Sequence, residues 1–268
     1  MPTIVSQGRS GVSGIPLPPV PNVLVLGGTT EASALAEALA ARGLSATLSY
    51  AGRVERPRAQ PVPVRIGGFG GVTGLQRHLR ENRVTHLVDA THPFAATMSA
   101  HALAAARNGG VPHLRLTRPA WRAQAGDRWR HVADIEAAVA ALAGPPRRVM
   151  LALGRMHVGA FAAQPQHHYL LRFVDRADLA PVLPHHDLVV DRGPFTAAAD
   201  LDLLREHAID IVVCKNAGGS GAQAKLVAAR ELGLPVLMID RPADPGGKAV
   251  HRVDEVMDWL DHGAHRGV

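Results

Sequence analysis

Paired glycines follow the first apolar run of the chain, at a position where a phosphate group would bind. Residues 23–26 are all Val or Leu, and the turn that follows them consists of Gly27, Gly28, Thr29, Thr30 and Glu31. At a strand–helix turn the backbone amides are unpaired and the helix dipole is positive, which favours an anion such as a dinucleotide pyrophosphate. The spacing is not Gly-x-Gly-x-x-Gly, so a plain turn with Thr29 or Thr30 as helix cap also fits the pattern.

The end of the second apolar run indicates which dinucleotide would bind. NAD sites usually place Asp or Glu there to bind the ribose hydroxyls, whereas this run closes with Ser49 and Tyr50 and reaches Arg53 three residues later. A hydroxyl and a planar guanidinium suit the 2′-phosphate of NADP, because arginine donates two parallel hydrogen bonds to a phosphate. We predict that Ser49 and Arg53 contact the cofactor; an Arg53 that is only solvated fits the pattern equally well.

A second polar turn follows the fourth predicted strand and would lie beside the first. Residues 89–95 read Asp-Ala-Thr-His-Pro-Phe-Ala, and ligands of open parallel sheets gather outside the carboxyl ends of the strands. Thr91 is a candidate ligand of the cofactor amide or phosphate. Histidine titrates near neutrality, so His92 is a candidate proton donor or anchor for a substrate carboxylate, and Asp89 is grouped with it as a candidate catalytic residue. Alternatively, Asp89 caps the next helix and His92 only orders the turn.

A third glycine-rich turn follows the apolar run at 211–214. Its notable residues are Lys215, Asn216, Gly218 and Gly219, and an Ala-rich helical segment comes after it. A lysine and glycines at the carboxyl end of a strand again favour an anion. The anion can be a carboxylate of the substrate or a phosphate of NADP, and the pattern does not separate the two. A glycine-rich connector that carries an exposed lysine is the alternative.

Short apolar runs and segments of helical spacing alternate regularly between these turns, which is typical of an α/β fold. The alternation begins near residue 22, pauses over residues 117–131 and then restarts. We therefore predict two Rossmann-like, doubly wound parallel-sheet domains with the substrate cleft between them. The predicted boundaries are a disordered leader at 1–20, an N-terminal NADPH-binding domain at 21–117 and a C-terminal domain at 118–268.

Composition and charge exclude several classes of protein. The chain of 268 residues carries a net charge of +6, and all but three of its 29 basic residues are arginine. These arginines are scattered, without a helix-turn-helix or an aromatic-interleaved basic strand, so we predict no nucleic-acid partner. No apolar stretch is long enough to span a bilayer and no signal peptide is recognisable. Together with a single cysteine, Cys214, this predicts a soluble cytoplasmic protein without a membrane partner.

The fifteen histidines raise the question of a metal site. Two adjacent pairs, at 167–168 and 185–186, attract attention. Neighbouring residues on a strand or helix point apart, and neither pair has a nearby cysteine or the histidine spacing of a zinc site. We therefore predict no metal.

Taken in order, the polar and glycine-rich turns resemble the signature of precorrin-6A reductases. The resemblance extends from about residue 22 to residue 242 and rests on the segments 27–31, 67–69, 89–95, 118–121, 192–195 and 215–219. The run Asp-Ala-Thr-His-Pro-Phe-Ala is its most specific part, whereas Gly-Gly-Thr is shared with unrelated nucleotide binders. The resemblance implies NADPH-dependent reduction of a ring-D carbon–carbon double bond of precorrin-6A, giving precorrin-6B in cobalamin biosynthesis.

The resemblance also implies further site residues and partners. Gly68 is expected in the cofactor site. The substrate is a tetrapyrrole polycarboxylate, so Arg118, Arg172 and Arg192 are candidates for its carboxylates, and Trp121 is a candidate for stacking on its ring. Each arginine alone is more often a surface residue, and a Trp121 buried between the two halves is the alternative. The product would pass to other enzymes of the cobalamin pathway.

Three other functions share part of the pattern. A short-chain dehydrogenase needs Tyr-x-x-x-Lys, but the two tyrosines, Tyr50 and Tyr169, are followed at the Lys position by Val54 and Phe173. A two-domain nucleotide-sugar transferase shares the Gly-Gly-Thr turn and the doubled fold, and fold alone does not decide function. A non-catalytic tetrapyrrole carrier would bind the same substrate and leave NADPH unoxidised.

Overall fold

Two parallel sheets of six strands each form the framework of the protein. The computed structural model describes residues 20–51, 59–173, 183–191 and 193–265. The predicted leader, apart from its last residue, and the candidate residues Arg53 and Arg192 lie outside these ranges. The predicted α/β class with two doubly wound parallel sheets is confirmed.

The first half of the chain alternates strands and helices as the sequence predicted. Its elements are β1 (Asn22–Leu26), α1 (Thr30–Ala41), β2 (Ser45–Tyr50), β3 (Val64–Ile66), α2 (Gly71–Glu81), β4 (His86–Asp89), α3 (Ala96–Gly109) and β5 (His113–Leu116). The α3 helix ends at Gly110, whose φ of +65° is the left-handed conformation that commonly terminates helices.

The second half repeats the alternation with one additional strand at its start. Its elements are β6 (Arg128–Val132), α4 (Ile135–Ala141), β7 (Arg148–Ala152), α5 (Arg155–Val158), a 3₁₀ helix (Gly159–Ala163), β8 (His168–Phe173), β9 (His186–Val190), α6 (Ala197–Glu206), β10 (Ile211–Lys215), α7 (Ala224–Glu231) and β11 (Pro235–Ile239). The chain ends with β12 (Ala249–Val250) and α8 (Val253–His265).

The strand order places a switch point in the middle of each sheet. The first sheet has the order β12-β5-β4-β1-β2-β3 and the second β6-β11-β10-β7-β8-β9. In both, the chain adds two strands on one side of a central strand and then returns to its other side. The switch points therefore lie between β1 and β4 and between β7 and β10, and these are the places where open parallel sheets bind ligands.

Each run of five strands is followed by a sixth strand that joins the other sheet: β6 follows β1–β5 but belongs to the second sheet, and β12 follows β7–β11 but belongs to the first. β6 precedes all other strands of the second sheet in sequence and pairs with β11, while β12 follows β11 and pairs with β5 of the first sheet. The predicted division at residue 117/118 therefore does not separate the sheets, because β12 and α8 lie on the first one. Residues 117–131, predicted as a connection, include all of β6 except its last residue. The chain crosses between the sheets twice.

Alternating side chains of the central strands build a core on each face of a sheet. In β1, Val23 and Val25 pack with α1 and α8, whereas Leu24 and Leu26 pack with α2 and α3. Side chains of successive strand residues point to opposite faces, so an uninterrupted apolar strand is buried on both. No helix in the described part of the chain is long and apolar enough to cross a membrane.

The single cysteine lies inside the second sheet. Cys214 of β10 is fully buried, and its Sγ donates to Sδ of Met238 at 3.8 Å. Burial raises the pKa of the Cys214 thiol to about 11. The thiol therefore stays protonated near neutral pH, and a protonated thiol is a poor nucleophile.

The C-terminal helix is part of the first core. Val256, Met257 and Leu260 of α8 are buried against α1, and Arg42 forms an ion pair with Asp261 at 2.9 Å. A fully buried side chain of this size contributes about 2 kcal/mol. Three of them amount to a large part of the 5–15 kcal/mol that typically stabilises a folded domain.

Removing residues 241–268 should therefore unfold the first half, although none of its first five strands is deleted. We expect the truncated chain to lose the cooperative thermal transition seen in the full chain by circular dichroism. Removing only residues 266–268 is the control and should leave the melting temperature unchanged. Equal melting temperatures for the two truncated chains would show that α8 and β12 do not support the first sheet.

Candidate active site

The carboxyl ends of β1 and β4 meet at the first switch point. Leu26 and Asp89 are paired in register there, so the turns that follow these two strands lie side by side. The Thr29 hydroxyl donates to the carbonyl oxygen of Ala90 at 2.8 Å and joins the two turns. The predicted cofactor turn is thus located where an open parallel sheet binds its ligand.

The turn after β1 has the form of an anion-binding site. Thr29 accepts a hydrogen bond from the Ala32 amide at 3.1 Å and so caps α1. Gly28 has a φ of +119°, and a Cβ on it would meet no atom within 4 Å, so a ligand can approach the backbone there. At Gly27 a Cβ would lie 2.6 Å from Cδ1 of Leu48, so a larger residue would have to displace the Leu48 side chain. The turn fits a dinucleotide pyrophosphate.

Arg65, which the sequence analysis missed, provides a cation at the outer end of this site. Arg65 is paired in register with Ser49, and its Nη1 donates to the Ser49 hydroxyl at 3.3 Å. Its terminal nitrogens also donate to the carbonyl oxygens of Gly67 and Gly68, the latter at 2.7 Å. The guanidinium carbon lies 3.8 Å from the centroid of the Phe69 ring. These contacts hold a planar cation beside the end of β2.

The turn after β4 is organised by its own side chains. Asp89 is 3% exposed, and its Oδ1 accepts from the Thr91 amide at 3.0 Å and from the Thr91 hydroxyl at 2.6 Å. Nδ1 of His92 accepts from the Phe94 amide at 3.2 Å. A ring nitrogen that accepts carries no hydrogen, so the neutral His92 ring carries its hydrogen on Nε2. Asp89 orders the turn, and a direct catalytic role for it stays a prediction.

The second switch point presents a cation. Lys215 is the last residue of β10, and its Nζ lies 2.8 Å from Nε2 of His157 in α5, the short helix after β7. Nζ also lies 4.8 Å from the centroid of the Phe94 ring, and Phe94 packs against the core of the second half. Because Phe94 belongs to the turn after β4, this contact brings the two switch points together. His157 was not predicted.

A second contact between the halves lies at the start of α1. Oε2 of Glu31 is 3.4 Å from Nη1 of Arg118 and accepts from the Thr30 hydroxyl at 3.1 Å. Arg118 packs over Gly219, where a Cβ would lie 2.6 Å from Cδ of the arginine. Glu31 was predicted to contact the cofactor and Arg118 a substrate carboxylate. In this structure the arginine neutralises the Glu31 carboxylate beside the anion-binding turn.

Asn216 and Trp121, both predicted to contact substrate, belong to the internal framework. Oδ1 of Asn216 accepts from the Trp121 amide at 2.8 Å, and its Nδ2 donates to the Trp121 carbonyl oxygen at 3.1 Å. Trp121 is 9% exposed, and its Nε1 donates to the Gly219 carbonyl oxygen at 2.7 Å. These contacts favour the alternative of a buried tryptophan, and stacking on a substrate stays a prediction.

A buried lysine contacts the residues at the end of the same glycine-rich loop. Lys225, 5% exposed, donates to the carbonyl oxygen of Ala222, and its Nζ lies 5.1 Å from the Trp121 ring centroid. Burial lowers the pKa of Lys225. The sequence carries no signal for this role of Lys225, because a lysine in a helical segment is usually solvated.

Arg172, a further candidate for a substrate carboxylate, is paired within the protein. It forms an ion pair with Asp200, and both side chains are almost completely buried. Its guanidinium carbon lies 3.9 Å from the centroid of the Phe195 ring. Arg172 therefore contributes to the packing between β8 and α6, and its charge is already paired.

The sequence of this chain matches that of a known protein family. The family model described as precorrin-6x reductase CbiJ/CobK matches residues 22–261. The chain belongs to this family. All six segments on which the sequence resemblance rested lie within the matched residues.

Members of the precorrin-6x reductase family from several organisms resemble the chain over nearly its whole length. A precorrin-6A reductase of Rhodobacter capsulatus is 57% identical over 248 residues, which cover 92% of this chain and 99% of that protein. One from Mycobacterium tuberculosis is 45% identical over 239 residues, covering 89% and 96%. A cobalt-precorrin-6A reductase of Priestia megaterium is 30% identical over 251 residues, covering 89% and 97%.

A solved structure of the family has the same fold. The structure, described as CobK precorrin-6A reductase, superposes with a TM-score of 0.88 at 57% sequence identity and covers 92% of this chain and 100% of its own. The precorrin-6x reductase assignment therefore rests on sequence and on backbone alike.

The predicted site residue Gly218 gives this precorrin-6x reductase a position that only glycine fits. Its φ is +71°, and a Cβ would overlap the Pro119 carbonyl oxygen and lie 2.5 Å from Nη2 of Arg241. We expect Gly218→Ala to lower the free energy of unfolding by about 2–4 kcal/mol, measured by urea denaturation. Gly221→Ala is the control, because a Cβ there meets no atom within 4 Å. Equal effects of the two substitutions would contradict this packing.

Proposed function

We propose that this protein reduces precorrin-6A to precorrin-6B with NADPH as a step of cobalamin biosynthesis. The reaction adds a hydride to one carbon of a ring-D double bond and a proton to its neighbour. The observation that supports this most is the contact of Lys215 with Phe94. This contact places two sites beside each other: an anion-binding turn suited to a dinucleotide and a cationic loop suited to a polycarboxylate. The relatives described as precorrin-6A reductases support the same substrate.

The first switch point is proposed to hold the cofactor. When bound, the reduced nicotinamide supplies the hydride. The protein contributes position: Gly28 leaves room for the pyrophosphate, Thr29 fixes the first turn of α1, and the amides of that turn face the anion. Thr91, held by Asp89, is proposed to contact the cofactor from the neighbouring turn.

His92 is proposed as the proton donor. The Phe94 amide orients its ring through Nδ1, which leaves the hydrogen on Nε2. A histidine donates a proton near neutral pH from its cationic form, which carries hydrogen on both ring nitrogens. His92 therefore acts as the donor once protonation of Nδ1 has replaced the hydrogen bond from the Phe94 amide. A ring fixed by the same turn that lies beside the cofactor turn is a suitable source for the proton that accompanies the hydride.

The substrate carboxylates are proposed to bind at the second switch point. Lys215 is held by His157 and lies against the Phe94 ring, so its ammonium group faces the first half. Arg118, which packs over Gly219 of the glycine-rich loop, and Arg192 remain candidates for further carboxylates. A charge-assisted hydrogen bond to each carboxylate would orient the tetrapyrrole ring.

NADPH rather than NADH is proposed as the reductant. The end of β2 carries Ser49 and no acidic residue, and Arg65 places a stacked guanidinium beside it. A phosphate on the ribose would find two or more hydrogen-bond donors there, whereas the ribose hydroxyls of NADH would find no carboxylate among the described residues at the end of β2. Arg53, which lies outside the described residues, is proposed to act at the same edge.

Two other functions would use the same two turns. A nucleotide-sugar transferase would bind a nucleotide sugar in place of NADPH, and a tetrapyrrole carrier would bind the substrate without reducing it. The full-length relatives described as reductases support the reductase over both. Handover of the product to other cobalamin-pathway enzymes and a cytoplasmic location stay predictions.

The reaction can be tested by anaerobic single-turnover mixing of the purified protein with precorrin-6A and NADPH. We expect loss of nicotinamide absorbance at 1:1 stoichiometry with a gain of two hydrogens in the mass of the tetrapyrrole. Tetrapyrrole binding without NADPH oxidation would support the carrier instead. Binding of a nucleotide sugar without binding of NADPH would support the transferase.

The cofactor preference can be tested at Arg65. We expect Arg65→Met to raise the Kd for NADPH about 10- to 100-fold, since hydrogen bonds between charged groups contribute about 1.5–3 kcal/mol, and to leave the Kd for NADH nearly unchanged. Fluorescence titration with each cofactor measures both constants. Arg80→Met, an exposed arginine of α2, is the control. Equal weakening of both cofactors would remove Arg65 from the phosphate site, and Arg53→Ala tests the second arginine in the same way.

A further inference from the structure

Arg241 lies where the two connections between the sheets pass each other. It is the second residue after β11, near the start of the segment 240–248 that returns the chain to the first sheet. The outgoing connection, residues 117–121, runs beside it. The loop after β10, which carries the Lys215 of the proposed substrate site, is its third neighbour.

The guanidinium of Arg241 donates one hydrogen bond to each of three backbone carbonyl oxygens. Nε donates to Asn216 at 2.9 Å, Nη1 to Arg118 at 2.9 Å and Nη2 to Ala217 at 3.1 Å. These carbonyls belong to two segments that are about a hundred residues apart in sequence. A single rigid, planar group therefore sets the distance between the outgoing connection and the Lys215 loop.

Side-chain packing reinforces this junction. Asn216 exchanges two hydrogen bonds with the backbone of Trp121, which ties the same two segments a second time. Gly218 leaves just enough room for the Arg241 side chain, since a Cβ there would lie 2.5 Å from Nη2. The three positions together fix the loop relative to the connection.

The charge of Arg241 is costly at this place. Burial lowers the pKa of Arg241, and the neighbouring cations of Arg118 and Arg115 lower it further. In the residues with described positions, no carboxylate forms an ion pair with Arg241 to offset that charge. A partly buried cation that lies near other cations and bonds only to neutral carbonyl oxygens is a costly way to stabilise a connection. We infer that the position requires the fixed, planar arrangement of the guanidinium donors.

Two branches of contacts lead from Arg241 to the two halves of the active site. One runs through the Arg118 backbone to the Arg118 side chain, which pairs with Glu31 at the start of α1, next to the cofactor turn. The other runs through the Asn216 and Ala217 carbonyls to the adjacent Lys215. A change in the guanidinium would move the cofactor side and the substrate side relative to one another.

We propose that Arg241 is a positioning residue for hydride transfer, which sets the separation between the cofactor turn of the first half and the Lys215 loop of the second. The inference rests on the proposed function. Arg241 touches neither reactant in this account and acts through the Arg118 connection and the loop after β10. A displacement of reacting atoms by about 1 Å lowers a rate by about 100-fold.

The test uses the full chain with Arg241→Met, Arg241→Lys and Arg241→Ala. Single-turnover rates with precorrin-6A and NADPH are measured with ordinary NADPH and with NADPH deuterated at the transferred position, alongside the Kd of each ligand and the melting temperature. We expect all three variants to lose hydride-transfer rate by about 100-fold, with a deuterium isotope effect on that rate and a change in NADPH Kd of less than about twofold. Added ethylguanidinium should raise the hydride-transfer rate of the Arg241→Ala variant by about tenfold or more.

Arg128→Met is the matched control, because Arg128 also donates to a backbone carbonyl oxygen, that of Gly233, at the far end of the second sheet. Its rate should equal that of the wild type. A wild-type rate for Arg241→Met would overturn the proposal. So would full recovery in Arg241→Lys, or a fall in rate that only parallels a fall in melting temperature and in NADPH binding. A wild-type protein that transfers no hydride would overturn the proposed function and this role together.

Discussion

Burial of the parallel strands on both faces confines the polar chemistry of this protein to one edge of each sheet. The last four residues of β1 and all four of β4 are buried, and helices cover both sides of the sheet. Beyond the carboxyl ends of these central strands, backbone amides are unpaired and polar side chains are accessible. The first sheet places the glycine turn and the His92 turn there, and the second places Lys215 there. Contact through Phe94 sets these two edges against each other.

The class of fold and the location of the turns followed from the alternation of apolar runs and helical segments, because burial leaves a periodic signal in the sequence. The edge strands β6 and β12 left none. β6 reads Arg-Trp-Arg-His-Val and is mostly exposed, so its sequence lacks the apolar run that marks the other strands of its sheet and predicts a connection instead. β12 has two residues. Which sheet an edge strand joins depends on long-range pairing, and no local pattern encodes that choice.

The glycine turns of the site could be predicted because their conformation requires particular residues, whereas the arginines could not be assigned. Arg118 and Arg172 have the right chemistry for carboxylates, and in the structure they pair with Glu31 and Asp200. A sequence shows the type of a side chain and not the group that it faces. Arg65 carried a usable signal, as a cation in a short strand directly before a glycine turn, while His157 on a four-residue helix carried none.

The order of the edge strands β6 and β12 in the sequence also determines when the protein can become complete during its synthesis. β1–β5 leave the ribosome first, but the free edge of β5 waits for β12 and the exposed face of α1 waits for α8, which are made last. β6, in turn, emerges early and has no partner until β11 follows. An open sheet edge and an uncovered apolar helix face are features that invite aggregation. The second sheet is therefore complete once β11 has been made, whereas the first, although begun earlier, closes last, and a chain that stops before β12 contains an unfinished first sheet.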